Sequence, residues 1–177
     1  GYRYAGKTID CRPVAAALAA DLAVPVVLVP NLATGPLPDG VPGALDFRTL
    51  GAGPLPPDPE SVFAALPFDH PLYILYSSGT TGPPKAIVHG AGGTLLEHVK
   101  EHRLHGDLHP DDTLYFHTTT AWMMWHWQLS ALAVGAHVVL NDGPVLGPET
   151  LWTLVADHRV TVFGTSPAYL QLCEERG

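Results

Sequence analysis

The chain has 177 residues, 46% hydrophobic and 15% charged, and its 9 Lys and Arg against 17 Asp and Glu leave a formal net charge of −8. That balance supports a packed core, excludes a disordered tail, and argues against gripping a nucleic-acid backbone, which needs clustered Lys and Arg to displace counterions. The length suits one domain or part of a larger one.

Residues 10–22, DCRPVAAALAADL, predict a helix with Asp10 as N-cap and Pro13 in its first turn. Residues 24–29, VPVVLV, read as a buried strand. Eight prolines and five glycines between Pro30 and Pro59 make residues 30–66 an irregular segment within a single unit spanning 1–177. Residues 72–76, LYILY, are continuously apolar and predict a central strand of a parallel sheet covered on both faces. A short strand is expected over 86–89, then a helix over 92–105, a strand over 113–118, a helix over 122–134 and a strand over 136–140. A helix over 148–158 opened by Pro148, a strand over 159–163, and a last helix capped by Ser166-Pro167 complete the series. Strands alternating with helices imply right-handed βαβ crossovers, hence an α/β fold with a mostly parallel sheet flanked by helices.

Two cysteines, Cys11 and Cys173, make no disulfide framework and suit an intracellular, cytoplasmic protein in which both are packing residues. Residues 113–141 contain no Asp, Glu, Lys or Arg. A membrane span is nonetheless not expected there, because His117, His126, Gln128 and His137 interrupt the run, Gly135 breaks it and no basic residues flank it. The chain opens on Gly1 without a signal-peptide pattern and is read as a piece of a longer protein.

The chemistry concentrates in residues 77–85, SSGTTGPPK. Four hydroxyls, two glycines and Lys85 directly after an apolar strand supply backbone and side-chain donors and one cation, at a place where α/β sheets bind ligands. The alternative is a hydroxyl-rich turn with a solvated lysine. A Walker A loop is excluded, since it needs Gly before Lys and Ser or Thr after it, and here Pro84 and Ala86 occupy those positions.

YSSGTTGPPK, residues 76–85, resembles the phosphate-binding loop of the acyl-adenylate-forming superfamily of acyl-CoA synthetases, adenylation domains and luciferases. Within it, residues 86–108, 118–136 and 161–173, with the opening YRYAGKTID and PFDHPLYILYSSGTTG, are similar to the acetoacetyl-CoA synthetase family. That resemblance implies an acid-thiol ligase in which a carboxylate attacks ATP to give an acyl-adenylate and pyrophosphate, after which coenzyme A displaces AMP. ATP, Mg2+ and coenzyme A are the implied cofactors and acetoacetate the implied acid. Ser78, Gly79, Thr80, Thr81, Gly82 and Lys85 match the loop around the β- and γ-phosphates, with Lys85 as the catalytic cation. In TTTAWMMW, residues 118–125, Thr120, Trp122 and Met123 are expected to face the acyl group, against the alternative that most of these aromatic and methionine side chains are packing. His117 is expected to be a satisfied core histidine, against the alternative that it orients the substrate, and His89 to be structural. His98, His102 and His105 are read as one solvated helix face rather than a zinc site.

The family's adenine-binding motif, ribose-binding aspartate and mobile C-terminal domain have no match in these residues, so they are not expected to form an adenylate alone. Two other readings stay open: a relative with another acid specificity, and a non-catalytic nucleotide-binding module.

Overall fold

The computed structural model describes residues 1–4, 7–32, 40–50, 53–54, 57–77 and 82–176. They form two compact units, Gly1–Ala64 and Ala65–Gly177.

In the first unit, β1 (Tyr2–Tyr4) and β2 (Lys7–Ile9) pair antiparallel, and α1 (Arg12–Leu22) follows. The helix starts one residue later than the expected cap suggests, with Cys11 instead of Asp10 at the N-cap. Asp10 serves the helix start differently: its carboxylate accepts from the backbone N–H of Arg12 at 2.9 Å and also grips that residue's guanidinium. The same Asp-x-Arg arrangement recurs at Asp46 and Arg48, where β4 (Leu45–Asp46) runs into α2 (Phe47–Leu50). The strand expected over 24–29 is reduced to β3 (Val27–Leu28), parallel to β4. It is not buried: the ladder is two residues long, and Val24, Val27 and Val29 are exposed.

The second unit begins with a hairpin. β5 (Pro71–Ser77) pairs with β6 (Lys85–Gly90) antiparallel, in place of the expected central parallel strand. The reason is chain length. Seven residues, 78–84, separate the two strands, and a parallel connection needs a crossover of roughly a dozen or more. Along β5 the side chains alternate, with Tyr73, Leu75 and Ser77 half-buried and Leu72, Ile74 and Tyr76 exposed, so one face of the hairpin is packed.

Burial on both faces belongs instead to β7 (Thr113–Phe116), the middle strand of a parallel sheet between β8 (His137–Val138) and β9 (Val162–Gly164). Leu114 packs on one face with Leu108, Ala131, Val134 and Ala136, and Tyr115 on the other with Leu151 and Tyr169. Each fully buried leucine of this kind contributes about 2 kcal/mol relative to exposure. The β7–β8 crossover carries α4 (Met123–Leu129) and a 3-10 segment, Ser130–Val134; the β8–β9 crossover carries α5 (Glu149–Asp157). α6 (Pro167–Arg176) follows, and Ser166 Oγ accepts from the Tyr169 N–H at 3.3 Å, the cap its sequence predicts. No helix among the described residues is long and apolar enough to cross a membrane.

Between hairpin and sheet, α3 (Ala91–Lys100) widens into a π turn, Glu101–His105. Here the solvated histidine face is overturned. His102 is fully buried and His98 nearly so, whereas His105 stays exposed. Glu97, Lys100 and Glu101 take the outward side in ion pairs. The inward side meets Trp127 and Ser130, whose oxygens offer the imidazoles partners that a sequence pattern does not display.

Candidate functional site

The loop that carries the hydroxyls closes the β5–β6 hairpin. Ser77 and Lys85 are opposite one another in the last pair of the ladder, so the loop leaves and re-enters the sheet at a fixed base. Strand alternation puts Ser77 and Lys85 on the same face as half-buried Tyr73, Leu75 and His89 and exposed Ile87. Lys85 lies at the outer end of that face and is exposed, with no ion-pair partner among the described residues. Gly82 has φ +155°, a conformation that side chains rarely adopt, and a Cβ there would meet nothing within 4 Å. Glycine is thus required by the backbone and not by crowding. Ser78, Gly79, Thr80 and Thr81 lie outside the described residues.

The second group of predicted residues lies at the C-terminal end of the parallel sheet. β7 ends at Phe116, and the His117 N–H donates to Gly164 O at 2.8 Å, so the ends of β7 and β9 are level. The Phe116 N–H has no strand partner, because β8 pairs only with Thr113 and Leu114. Buried Gln128 of α4 supplies one, its Oε1 accepting at 3.0 Å. This bond fixes how far the chain turns before α4 begins. In the turn, Thr120 is exposed, Trp122 is the N-cap of α4 and 60% exposed, and Met123 opens the helix at 49% exposure. These two side chains are therefore surface in this chain, whereas Trp127 of the same run packs against the core.

One histidine joins the elements that carry the two groups, and two more tie α3 and its π turn to α4 and the segment after it. His126 of α4 stacks on Tyr73 of β5, ring centroids 3.8 Å apart and planes at 29°. The His102 Nε2–H donates to Trp127 O at 2.9 Å, and Ser130 Oγ stands 3.0 Å from His98 Nδ1. Burial pushes the imidazoles of His98, His102 and His126 down from their ordinary value, so all three are neutral at pH 7. His117 is lowered the same way, and its Nδ1 shares a hydrogen bond of 3.0 Å with the Tyr115 hydroxyl. Among the described residues no group of His, Cys, Asp and Glu is placed to hold a metal.

The fold therefore brings Ser77, Gly82 and Lys85 to one hairpin end and Thr120, Trp122 and Met123 to one turn. Among the described residues no hydrogen bond or ring contact joins the two groups directly. Sequence reasoning missed three contributors. Gln128 and His126 sit in an apolar run where polarity was the available signal. Thr165, just after β9, has a buried hydroxyl without a hydrogen-bond partner among the described residues, at the carboxyl end of the parallel strands, where α/β sheets bind ligands; a hydroxyl before Ser166-Pro167 was its signal.

Residues 15–177 match the AMP-binding enzyme family. The chain is 55% identical over 121 residues to the acetoacetyl-CoA synthetase of Danio rerio, covering 67% of this chain and 18% of that protein. It is 46% identical over 184 residues to the acetoacetyl-coenzyme A synthetase of Rhizobium meliloti (strain 1021), covering 100% of this chain and 27% of the relative. The solved structure of acetoacetyl-CoA synthetase from Streptomyces lividans superposes with a TM-score of 0.87 at 43% identity, again over 100% of this chain and 27% of that one. The chain thus spans between about a fifth and a quarter of the length of these relatives.

Proposed function

Because the chain belongs to the AMP-binding enzyme family, we propose that it supplies the phosphate-binding hairpin and part of the acyl-binding wall of a ligase that converts acetoacetate, ATP and coenzyme A to acetoacetyl-CoA, AMP and pyrophosphate. The observation that carries this reading is a hydroxyl- and glycine-rich loop closed by the Ser77–Lys85 pair, in a chain 43–55% identical to proteins named for that reaction.

In the first half-reaction an acetoacetate carboxylate oxygen forms a bond to the α-phosphorus, and the bond from that phosphorus to the β-bridging oxygen breaks. Pyrophosphate leaves with the bonding pair. In the second, the sulfur of coenzyme A, losing its proton, attacks the acyl carbon and AMP departs. The residues contribute electrostatics and position. Lys85 meets the charge that grows on the leaving pyrophosphate, and Ser78, Thr80 and Thr81 with the backbone at Gly79 and Gly82 donate to its oxygens. Thr120, Trp122 and Met123 face the acyl group from the turn before α4. Magnesium would come with the nucleotide as its counterion: this loop offers hydroxyls and an ammonium, not the carboxylates of a protein-held Mg2+ site. The cytoplasm is the compartment proposed, since the half-buried thiols of Cys11 and Cys173 are unpaired.

The test is pyrophosphate–ATP exchange by the complete protein with acetoacetate, acetate and butyrate in turn. Exchange fastest with acetoacetate is expected. Preference for another acid would keep the chemistry and change the substrate, and no exchange with any acid would leave a nucleotide-binding module.

A further inference from the structure

Among the described residues neither nitrogen of the His126 imidazole has a hydrogen-bond partner, although both are buried. Buried polar atoms without partners are uncommon in folded proteins because of their desolvation cost; no hydrogen bond accounts for this ring, which leaves its flat aromatic face as the part that is used. Among the described residues the ring's one aromatic contact is its stack on Tyr73. That contact joins two elements with different tasks. Tyr73 lies four residues before Ser77 on the same face of β5, about 13 Å along the strand at the usual rise. His126 lies three and four residues after Met123 and Trp122, so it is on their stripe of α4, one turn on. Opposite Tyr73 in the ladder is His89, which also bears on His126.

We propose that His126 is a positioning residue: its stack on Tyr73 sets the base of the phosphate-binding hairpin, Ser77 and Lys85, at a fixed distance from the acyl-facing turn at Trp122 and Met123. This rests on the adenylating function proposed above. The two substrates are held by separate elements, and in-line attack needs the carboxylate and the α-phosphorus within about 3–3.5 Å. The stack is a rigid strut between those elements. Losing it leaves each substrate's own contacts in place but spoils their mutual placement.

The experiment uses the complete protein. His126→Leu keeps much of the volume and removes the stack, and His126→Phe keeps an aromatic ring while removing both nitrogens. Pyrophosphate exchange is measured against ATP and acid concentration, with the thermal midpoint of each variant. The expected result is a kcat lowered about 10- to 100-fold in His126→Leu, both KM values within about threefold, and recovery in His126→Phe. Unchanged exchange per folded molecule in His126→Leu, with only a lower midpoint, would overturn the proposal. So would a raised KM for the acid at unchanged kcat, which would make the ring part of the acyl pocket. Tyr73→Leu removes the same stack from the other side and serves if His126→Leu does not fold.

Failure of the underlying function reads out separately, as no exchange by the wild type with any acid. Independently of activity, amide hydrogen exchange along β5 and β6 should be faster in His126→Leu than in the wild type and restored in His126→Phe. Equal rates in all three would refute the strut.

Discussion

Ser77 and Lys85 face each other across the final pair of the β5–β6 ladder, which places a hydroxyl and an ammonium on one face at the root of the loop. Replacing Lys85 by Ala should lower pyrophosphate exchange by about 10²-fold, the usual loss when one preorganised electrostatic contact to developing charge is removed. Because the side chain is exposed, the thermal midpoint should not move. Full activity in the variant would remove Lys85 from the chemistry.

Gly82→Ala tests the loop's backbone. With φ at +155° and open space where a Cβ would stand, the substitution costs conformational strain of about 1–3 kcal/mol and no steric clash. The strain falls on the proposed nucleotide-binding segment, so the apparent KM for ATP should rise about 5- to 100-fold while the thermal midpoint stays within a few degrees. An unchanged KM would count against Gly82 as part of the ATP-binding segment.

Tyr169 ties α6 to the start of α5. Its hydroxyl donates to Pro148 O and accepts from the Leu151 N–H, and both Tyr169 and Leu151 are buried. Tyr169→Phe leaves that amide without its partner, at a cost of about 1–3 kcal/mol. Thermal unfolding should register the loss while pyrophosphate exchange at 25 °C is retained; an unaltered midpoint would mean water replaces the hydroxyl.

Acid should loosen the protein through its inward histidines. His98 and His102 are pushed below their ordinary value, first by burial, so the unfolded chain protonates before the folded one. Stability is then fully present above about pH 6.5 and declines below it, by about 1.4 kcal/mol per pH unit for each proton taken up on unfolding. Urea midpoints should fall from pH 7.5 to pH 5. His102→Gln, which can still donate to Trp127 O, should flatten that fall; identical slopes would acquit His102.

Much of the architecture was readable from the residues. The α4, α5 and α6 regions and their strands follow apolar period and proline placement, and the Ser166 cap stands where its sequence puts it. LYILY and TLYF show why the sheet was misassigned. Both are uninterrupted apolar runs, and only what packs over them distinguishes a hairpin with one open face from a strand buried on both. The seven residues after β5 already carried the correction. Of the candidate site, the loop and Lys85 stand out in the sequence because glycines, hydroxyls and a cation declare themselves there. His98, His102, His126 and Gln128 were not, since their roles depend on partners on other elements: Trp127 O, Ser130 Oγ, the Tyr73 ring and the Phe116 N–H.

The strand order β8–β7–β9 has a consequence for biosynthesis. The middle strand is made first, and its second partner, β9, starts about 50 residues later. At roughly 5–20 residues per second, a nascent chain leaves one edge of β7 unpaired for about 2–10 s on the ribosome. For that interval Leu114 and Tyr115 are exposed to other chains, so slowing translation between codons 116 and 162 should increase the fraction captured by chaperones, and a synonymous recoding that speeds the stretch should reduce it.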